Sequence, residues 1–205
     1  MATIFDLIAS LVFSGALFLI ILTANDTALE TQATSHGDML VQQMLINVAQ
    51  MVEGEFRNMG FGVPENQKTV LLADTSSITF LTDMDRSGTS LDIVRYTLGP
   101  VSELSRTQNE QDRFLYRALN GGTKQNVGVV TLFTLRYFTR DGDTLAMPVP
   151  ADRLTEIHVV EVTMEVQNSY APYRPTWAVQ TGQRNALYSS SLWQQTRLAS
   201  QNSRR

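Results

Sequence analysis

Cysteine is absent from all 205 residues. That removes disulfides, thiol nucleophiles and thiolate metal ligands together, and leaves the redox compartment open. Lysine is almost missing too: only Lys68 and Lys124 accompany the arginines, and 16 basic residues face 20 acidic ones for a net charge of −4. No basic cluster precedes Arg204-Arg205, so nucleic acid is not an expected partner. The two histidines, His36 and His158, lie far apart in sequence with no metal-ligand spacing around either. No glycine-rich phosphate loop occurs, and Ser189-Ser190-Ser191 lacks a nucleophile-elbow context. With no convergent acid, base and nucleophile, the chain reads as a non-enzyme without a cofactor. Proline is absent before Pro64, so nothing in that stretch forbids a helix.

What the chain does have is a long apolar start. Residues 4–23 carry one charge, Asp6, and twenty mostly apolar residues are enough to span a bilayer. No basic region precedes the run, and it exceeds the roughly 7–15 residues of a signal-peptide core, so an uncleaved anchor is expected. The following flank holds Asp26, Glu30 and Asp38 with no Lys or Arg before Arg57. A short N-terminus in the cytoplasm, with the rest of the chain outside the cytoplasmic membrane, is the orientation expected. A carboxylate inside such a helix costs a few kcal/mol unless it snorkels or meets a cation, which makes Asp6 a functional candidate; an aspartate resting at the interface is the alternative. Ser10 and Ser14, with Gly15 and Ala16 beside them, offer small residues for close helix contact.

Helical signal continues past the apolar run. Val41, Met44, Leu45, Val48, Val52, Phe56 and Met59 recur at spacings of three and four, which predicts one amphipathic helix face. Ser35-His36-Gly37-Asp38 is the weak point, where a bend is expected. The glycines and proline of Gly60-Phe61-Gly62-Val63-Pro64 end the helix. The period then changes to two. Residues 77–82 and 91–98 predict a β-hairpin, 113–119 a third strand closed by Asn120-Gly121-Gly122, and 127–139 a fourth ending at Asp141-Gly142. Val160, Val162, Met164 and Val166 alternate with Glu161, Thr163, Glu165 and Gln167, which predicts a strand with one buried and one wet face. Residues 170–184 read as a loop holding Tyr173 and Trp177, 187–198 as a last strand and 199–205 as a frayed tail. The expected fold is α+β, with the strands covering the apolar helix face. The expected divisions are a transmembrane and assembly half at 1–24, an amphipathic half at 25–60 and an antiparallel sheet domain at 64–198.

Asp83, Asp85, Ser87 and Gly88 match the opening of a helix-loop-helix calcium loop. The place of its bidentate glutamate is taken by Val94, so an acidic hairpin turn is the first expectation and calcium a residual candidate.

Three stretches resemble the type IV pilin superfamily, most closely the minor pilins and minor pseudopilins of type IV pili and type II secretion. They are Ala2-Thr3-Ile4-Phe5-Asp6-Leu7-Ile8, Glu53-Gly54-Glu55-Phe56-Arg57-Asn58-Met59-Gly60-Phe61-Gly62, and the hairpin at 78–98. With Met1 removed, Asp6 becomes the fifth residue, where the family carries a glutamate. The resemblance implies that Asp6 neutralises the N-terminal amine, at Ala2, of an adjacent subunit as helices enter a bundle. It further implies a structural subunit of a pilus-like or pseudopilus filament, in a minor or initiating role, with other pilin-like subunits as partners and calcium as a ligand of some relatives. The family's basic leader does not stand before Met1, so either a leaderless relative or a different native start is expected; the sequence also departs from the family in aspartate for glutamate and in lacking a proline near the end of the apolar run. A membrane-anchored monomeric binding domain outside the cytoplasm is the alternative.

Overall fold

The computed structural model describes residues 2–88, 90–105, 107, 109, 111–167 and 191–199. The chain opens with a single helix, α1 (Ala2–Arg57), of 56 residues. At 1.5 Å per residue it is roughly 84 Å long. Helical backbone carries unbroken through Gly37, the expected weak point. The exit is tight: Asn58 and Met59 amides donate to Glu55 and Phe56 carbonyls, and Gly60 and Gly62 take φ of +79° and +73°. Gly60 N–H then bonds Leu81 O, Thr82 Oγ1 donates to Asn58 O at 2.8 Å, and Asp83 N–H bonds Phe61 O, so the helix end is stitched to the end of a strand.

Two antiparallel sheets follow. The first has five strands in chain order: β1 (Val70–Ala73), β2 (Ser77–Thr82), β3 (Asp92–Leu98), β4 (Arg113–Leu119) and β5 (Gln125–Val130). The second has three: β6 (Leu132–Phe138), β7 (Val159–Gln167) and β8 (Ser191–Ala199). The fold is therefore α+β as expected. The hairpin of β2 and β3 pairs Ser77 with Thr97 through to Thr82 with Asp92, and Asn120-Gly121 turns β4 into β5 with φ of +52° and +70°. Val160, Val162, Met164 and Val166 are all buried, and β8 pairs with β7 along its whole length. The predicted loop at 170–184 with Tyr173 and Trp177, residues 187–190 of the expected last strand and residues 200–205 lie outside the described residues, while Ala199, expected in the tail, ends β8.

The expected strand over 127–139 is corrected to two strands in two different sheets. Val130 points into the core, and the next residues to do so are Phe133, Leu135 and Tyr137. A step of three breaks the period of two, and a one-residue slip sends a strand's side chains to the other face. The chain changes sheet there, with the Thr131 amide and hydroxyl both donating to Glu165 O. Strand β1 has no counterpart in the sequence reading. It is four residues long and irregular at Leu71, with Leu71 and Leu72 both exposed, so alternation never develops.

The helix face predicted from spacing is the spine of the core. Val41, Leu45, Val48, Val52, Phe56 and Met59 are buried, Met44 is partly so, and Ala49 joins them. Residues from both sheets share this one cluster. Gly128 in β5 is what lets the helix approach: a Cβ there would meet Val48 Cγ2 at 2.6 Å. Valine is stiff at χ1 and cannot swing aside. Gly128→Ala is therefore expected to destabilise the domain by about 1–3 kcal/mol, read as a lower midpoint in chemical denaturation. A neutral result would mean that helix and β5 are not in this contact.

Candidate functional site

The apolar half of α1 is the feature without a structural role inside the chain. Thr3–Leu29 forms the one helical stretch, among the described residues, that is long and apolar enough to cross a membrane, and none of it is buried. Large side chains such as Phe5, Leu11, Phe13 and Phe18 are bare. The same unbroken helix then becomes the centre of the folded domain, so one half is a finished core and the other is uncovered all round.

Asp6, Ser10 and Ser14 follow at steps of four and share one face, whereas Gly15 lies roughly 100° round from Ser14. All three polar side chains are exposed, and Asp6 has no ion-pair partner among the described residues. A Cβ on Gly15 would meet nothing within 4 Å, so nothing in the chain's own packing calls for glycine there. Ala2 starts the helix. Past the apolar run, Thr23, Thr27 and Thr31 each donate their hydroxyl to the carbonyl four residues back, which satisfies them without outside partners.

The domain is locked to the helix by two acids. Glu55 accepts hydrogen bonds from the Tyr96 hydroxyl and from Arg117 Nε, both at 2.7 Å, with side-chain exposures of 13% for Arg117 and 16% for Glu55. Burial first, and the Glu55 carboxylate second, push the Tyr96 phenol far above its ordinary pKa, so it stays a donor through alkaline pH. Glu53 accepts from Gln194 Nε2 at 2.8 Å and Thr196 Oγ1 at 2.9 Å, tying the helix to β8. These carboxylates belong to the stretch 53–62, one of the three quoted for the sequence resemblance. Their partners are distant in the chain, and Arg57 holds Glu53 only at 3.5 Å.

The residues proposed for calcium are placed as a turn. Asp83, 4% exposed, accepts Ser87 N–H and Gly88 N–H on its two oxygens, and Asp85 accepts Ser87 N–H at 2.9 Å. The hydrogen bonds from the Ser87 side chain and then its amide hold the Asp85 carboxyl below its usual pKa. Asp92 accepts Met84 N–H and Asn120 Nδ2–H. Val94, at the position of the closing glutamate, is fully buried in the core. Among the described residues no group of three or more His, Asp or Glu is arranged to hold a metal. His36 is exposed on the helix, while the His158 amide bonds Phe138 O at the approach to β7.

Glu161 corrects the expected wet face of β7. It is 1% exposed, because Arg136 on β6 and Arg197 on β8 stand directly opposite it and lie across it. Arg197 Nε donates to Oε2 at 2.6 Å, Arg136 Nη1 sits 3.5 Å from Oε1, and both guanidinium groups stack over the Phe138 ring. Alternation says which face a residue takes, and here the cover comes from neighbours on that face. Burial alone would raise the Glu161 pKa; hydrogen bonds from Arg197 and Gln195 and the two positive charges outweigh it and leave the carboxyl below its ordinary value. A depressed folded pKa gives stability that is present above the unfolded pKa and disappears as pH falls through the folded one. Acid titration of folding stability should therefore be shallower for Glu161→Gln than for the parent chain below about pH 4.5. Parallel curves would contradict the ladder.

The fold and site define a class: an α+β domain built on one long helix whose other half is bare and apolar. No protein-family model matches the chain, and no curated protein matches it significantly.

Proposed function

We propose that this chain is a structural subunit of a type IV pilus-like or pseudopilus filament. It is held in the cytoplasmic membrane by Thr3–Leu29 before assembly and joins other pilin-like subunits through that helix, with its two-sheet domain outside. The observation that carries the proposal is the division of α1 into a half that forms the domain core and a half that is wholly exposed. Lipid covers such a surface before assembly, and other helices cover it afterwards, with packing as the driving force. Asp6, the one charge near the start of this half, supports the reading, since a neighbouring Ala2 amine would relieve it. A minor or initiating role rests on the sequence resemblance. No catalytic step is assigned.

Asp6→Ala tests the pairing. Membrane insertion should be unchanged, while the amount of chain in sheared extracellular or periplasmic filaments should fall about tenfold or more, as expected when one member of a desolvated charge pair is removed. Undiminished incorporation overturns the pairing. A parent chain found only as a membrane-bound monomer overturns the filament reading in favour of an anchored binding domain.

A further inference from the structure

The turn between β2 and β3 places a methionine where an arginine meets a poor acceptor. Arg117 gives its Nε–H to Glu55 at 2.7 Å, whereas its Nη2–H goes to Met84 Sδ at 3.4 Å. A thioether accepts hydrogen bonds weakly, and the Arg117 side chain is only 13% exposed, so little water reaches that donor instead. One arm of the guanidinium that locks the helix to the sheet therefore rests on an electron-rich sulfur.

Three features set Met84 apart from the other described methionines. It is 41% exposed, while Met59 and Met164 are buried; Met39 and Met51 are exposed too, on the outer surface of α1, with no hydrogen bond to either sulfur among the described residues. Its backbone is fixed, because the Met84 amide donates to Asp92 Oδ2 at 3.2 Å, and the side chain above it has three rotatable bonds. A cavity of about 90 Å³, lined by Glu55, Asn58, Phe61 and Met84 among others, adjoins it. That is ample beside the roughly 30 Å³ a water molecule occupies, so one added oxygen fits without displacing the strands.

We infer that Met84 is a site of reversible oxidation by peroxides, and that its sulfoxide oxygen becomes the acceptor for Arg117. A sulfur lone pair attacks one oxygen of hydrogen peroxide; the O–O bond breaks as the S–O bond forms, and the departing hydroxide takes the proton of the transferred oxygen and leaves as water. Sulfur loses two electrons and the peroxide gains them. With no cysteine in the chain, no thiol competes for the oxidant. Sulfoxide reductases reverse the step with two thiols, which become a disulfide while the oxygen leaves as water. Rotation about the terminal bonds of the side chain brings the new oxygen to Nη2, where a charge-assisted N–H···O bond replaces N–H···S. Making a methionine polar commonly disrupts its packing. Here the oxygen meets a cation already in place, and oxidation tightens the contact that joins α1 to β3 and β4. This latch lies within one chain, so it goes beyond the filament reading and stands or falls apart from it.

The test uses the full-length chain in mild detergent with Met39→Leu and Met51→Leu, treated with dilute hydrogen peroxide and followed by peptide mass spectrometry. One oxygen should add at Met84 before Met44 or Met147, which are only partly buried against the core. The denaturation midpoint should then rise by the equivalent of about a tenfold gain in the folding equilibrium constant, as a hydrogen bond to a charged group provides. Sulfoxide reductases should return the midpoint to its starting value, and Met84→Leu should show no rise. Met84→Gln, whose amide oxygen stands in for the sulfoxide oxygen with no oxidant present, should have a higher midpoint than Met84→Leu. A midpoint that stays or falls once Met84 is oxidised, equal midpoints for Met84→Gln and Met84→Leu, or oxygen adding at Met44 or Met147 first overturns the inference.

Discussion

Phe56→Ala should cost about 3–5 kcal/mol, the largest loss expected from any single truncation in the helix face. Phe56 is fully buried and sits edge-on between two rings, 5.5 Å from Phe80 at 79° and 5.5 Å from Tyr96 at 74°. Each such pair contributes about 0.5–1.5 kcal/mol beyond the area it buries. Phe80 belongs to β2 and Tyr96 to β3, so the ring is where the helix meets the five-stranded sheet. The surroundings are β-strands held by their own ladders, which cannot collapse into the space a phenyl group leaves. Against a typical domain stability of about 5–15 kcal/mol, the variant keeps little reserve. Denaturant unfolding of the full-length chain in mild detergent, followed by far-ultraviolet circular dichroism, should show the midpoint falling accordingly. A loss under about 1 kcal/mol would mean that the helix is not seated on this sheet.

Glu55→Ala should cost about 3 kcal/mol, and Glu55→Gln about 1 kcal/mol. Alanine leaves the Arg117 guanidinium largely covered with no counter-charge and the buried Tyr96 hydroxyl with no acceptor. Glutamine keeps one oxygen for Arg117, and its NH2, standing where Oε2 was, can donate to the Tyr96 hydroxyl oxygen, so the charge is lost and one bond reverses. The order is the informative part, because it separates a satisfied polar contact from simple packing. The same denaturation measurement decides it: equal costs for the two variants, or a neutral alanine, would show that Glu55 is solvated and the helix held by apolar contact alone. Glu53 is more exposed, its partners on β8 are neutral and its charged neighbour Arg57 is exposed and 3.5 Å away, so its truncation should cost less.

Much of the helix was legible because a helix is written in neighbouring residues. The three-and-four spacing from Val41 to Met59 needs nothing beyond the chain's own turn to align it, and those residues are the ones buried. The β2–β3 hairpin and the Asn120-Gly121 turn are local for the same reason. The division of 127–139 into β5 and β6 left one trace, the step of three between Val130 and Phe133, which a search for β-rich runs passes over. Strand β1 left none, since two of its four residues are exposed leucines beside an irregular pairing.

The polar partners were not legible at all. Glu55 has no basic residue three or four positions away on the helix, and its partners Arg117 and Tyr96 are brought in by β4 and β3. Glu161 reads as solvated and is covered, because register sets Arg136 and Arg197 opposite it. By itself the sequence determined a long helix with one apolar end, the face that end's continuation buries, and an antiparallel α+β architecture. Tertiary structure alone decided that there are two sheets, which acids lock them to the helix, and that the apolar half of α1 stays bare. The physical reason is range: periodicity and turn chemistry act between residues a few positions apart, whereas pairing, cover and exposure depend on which distant segments close on one another.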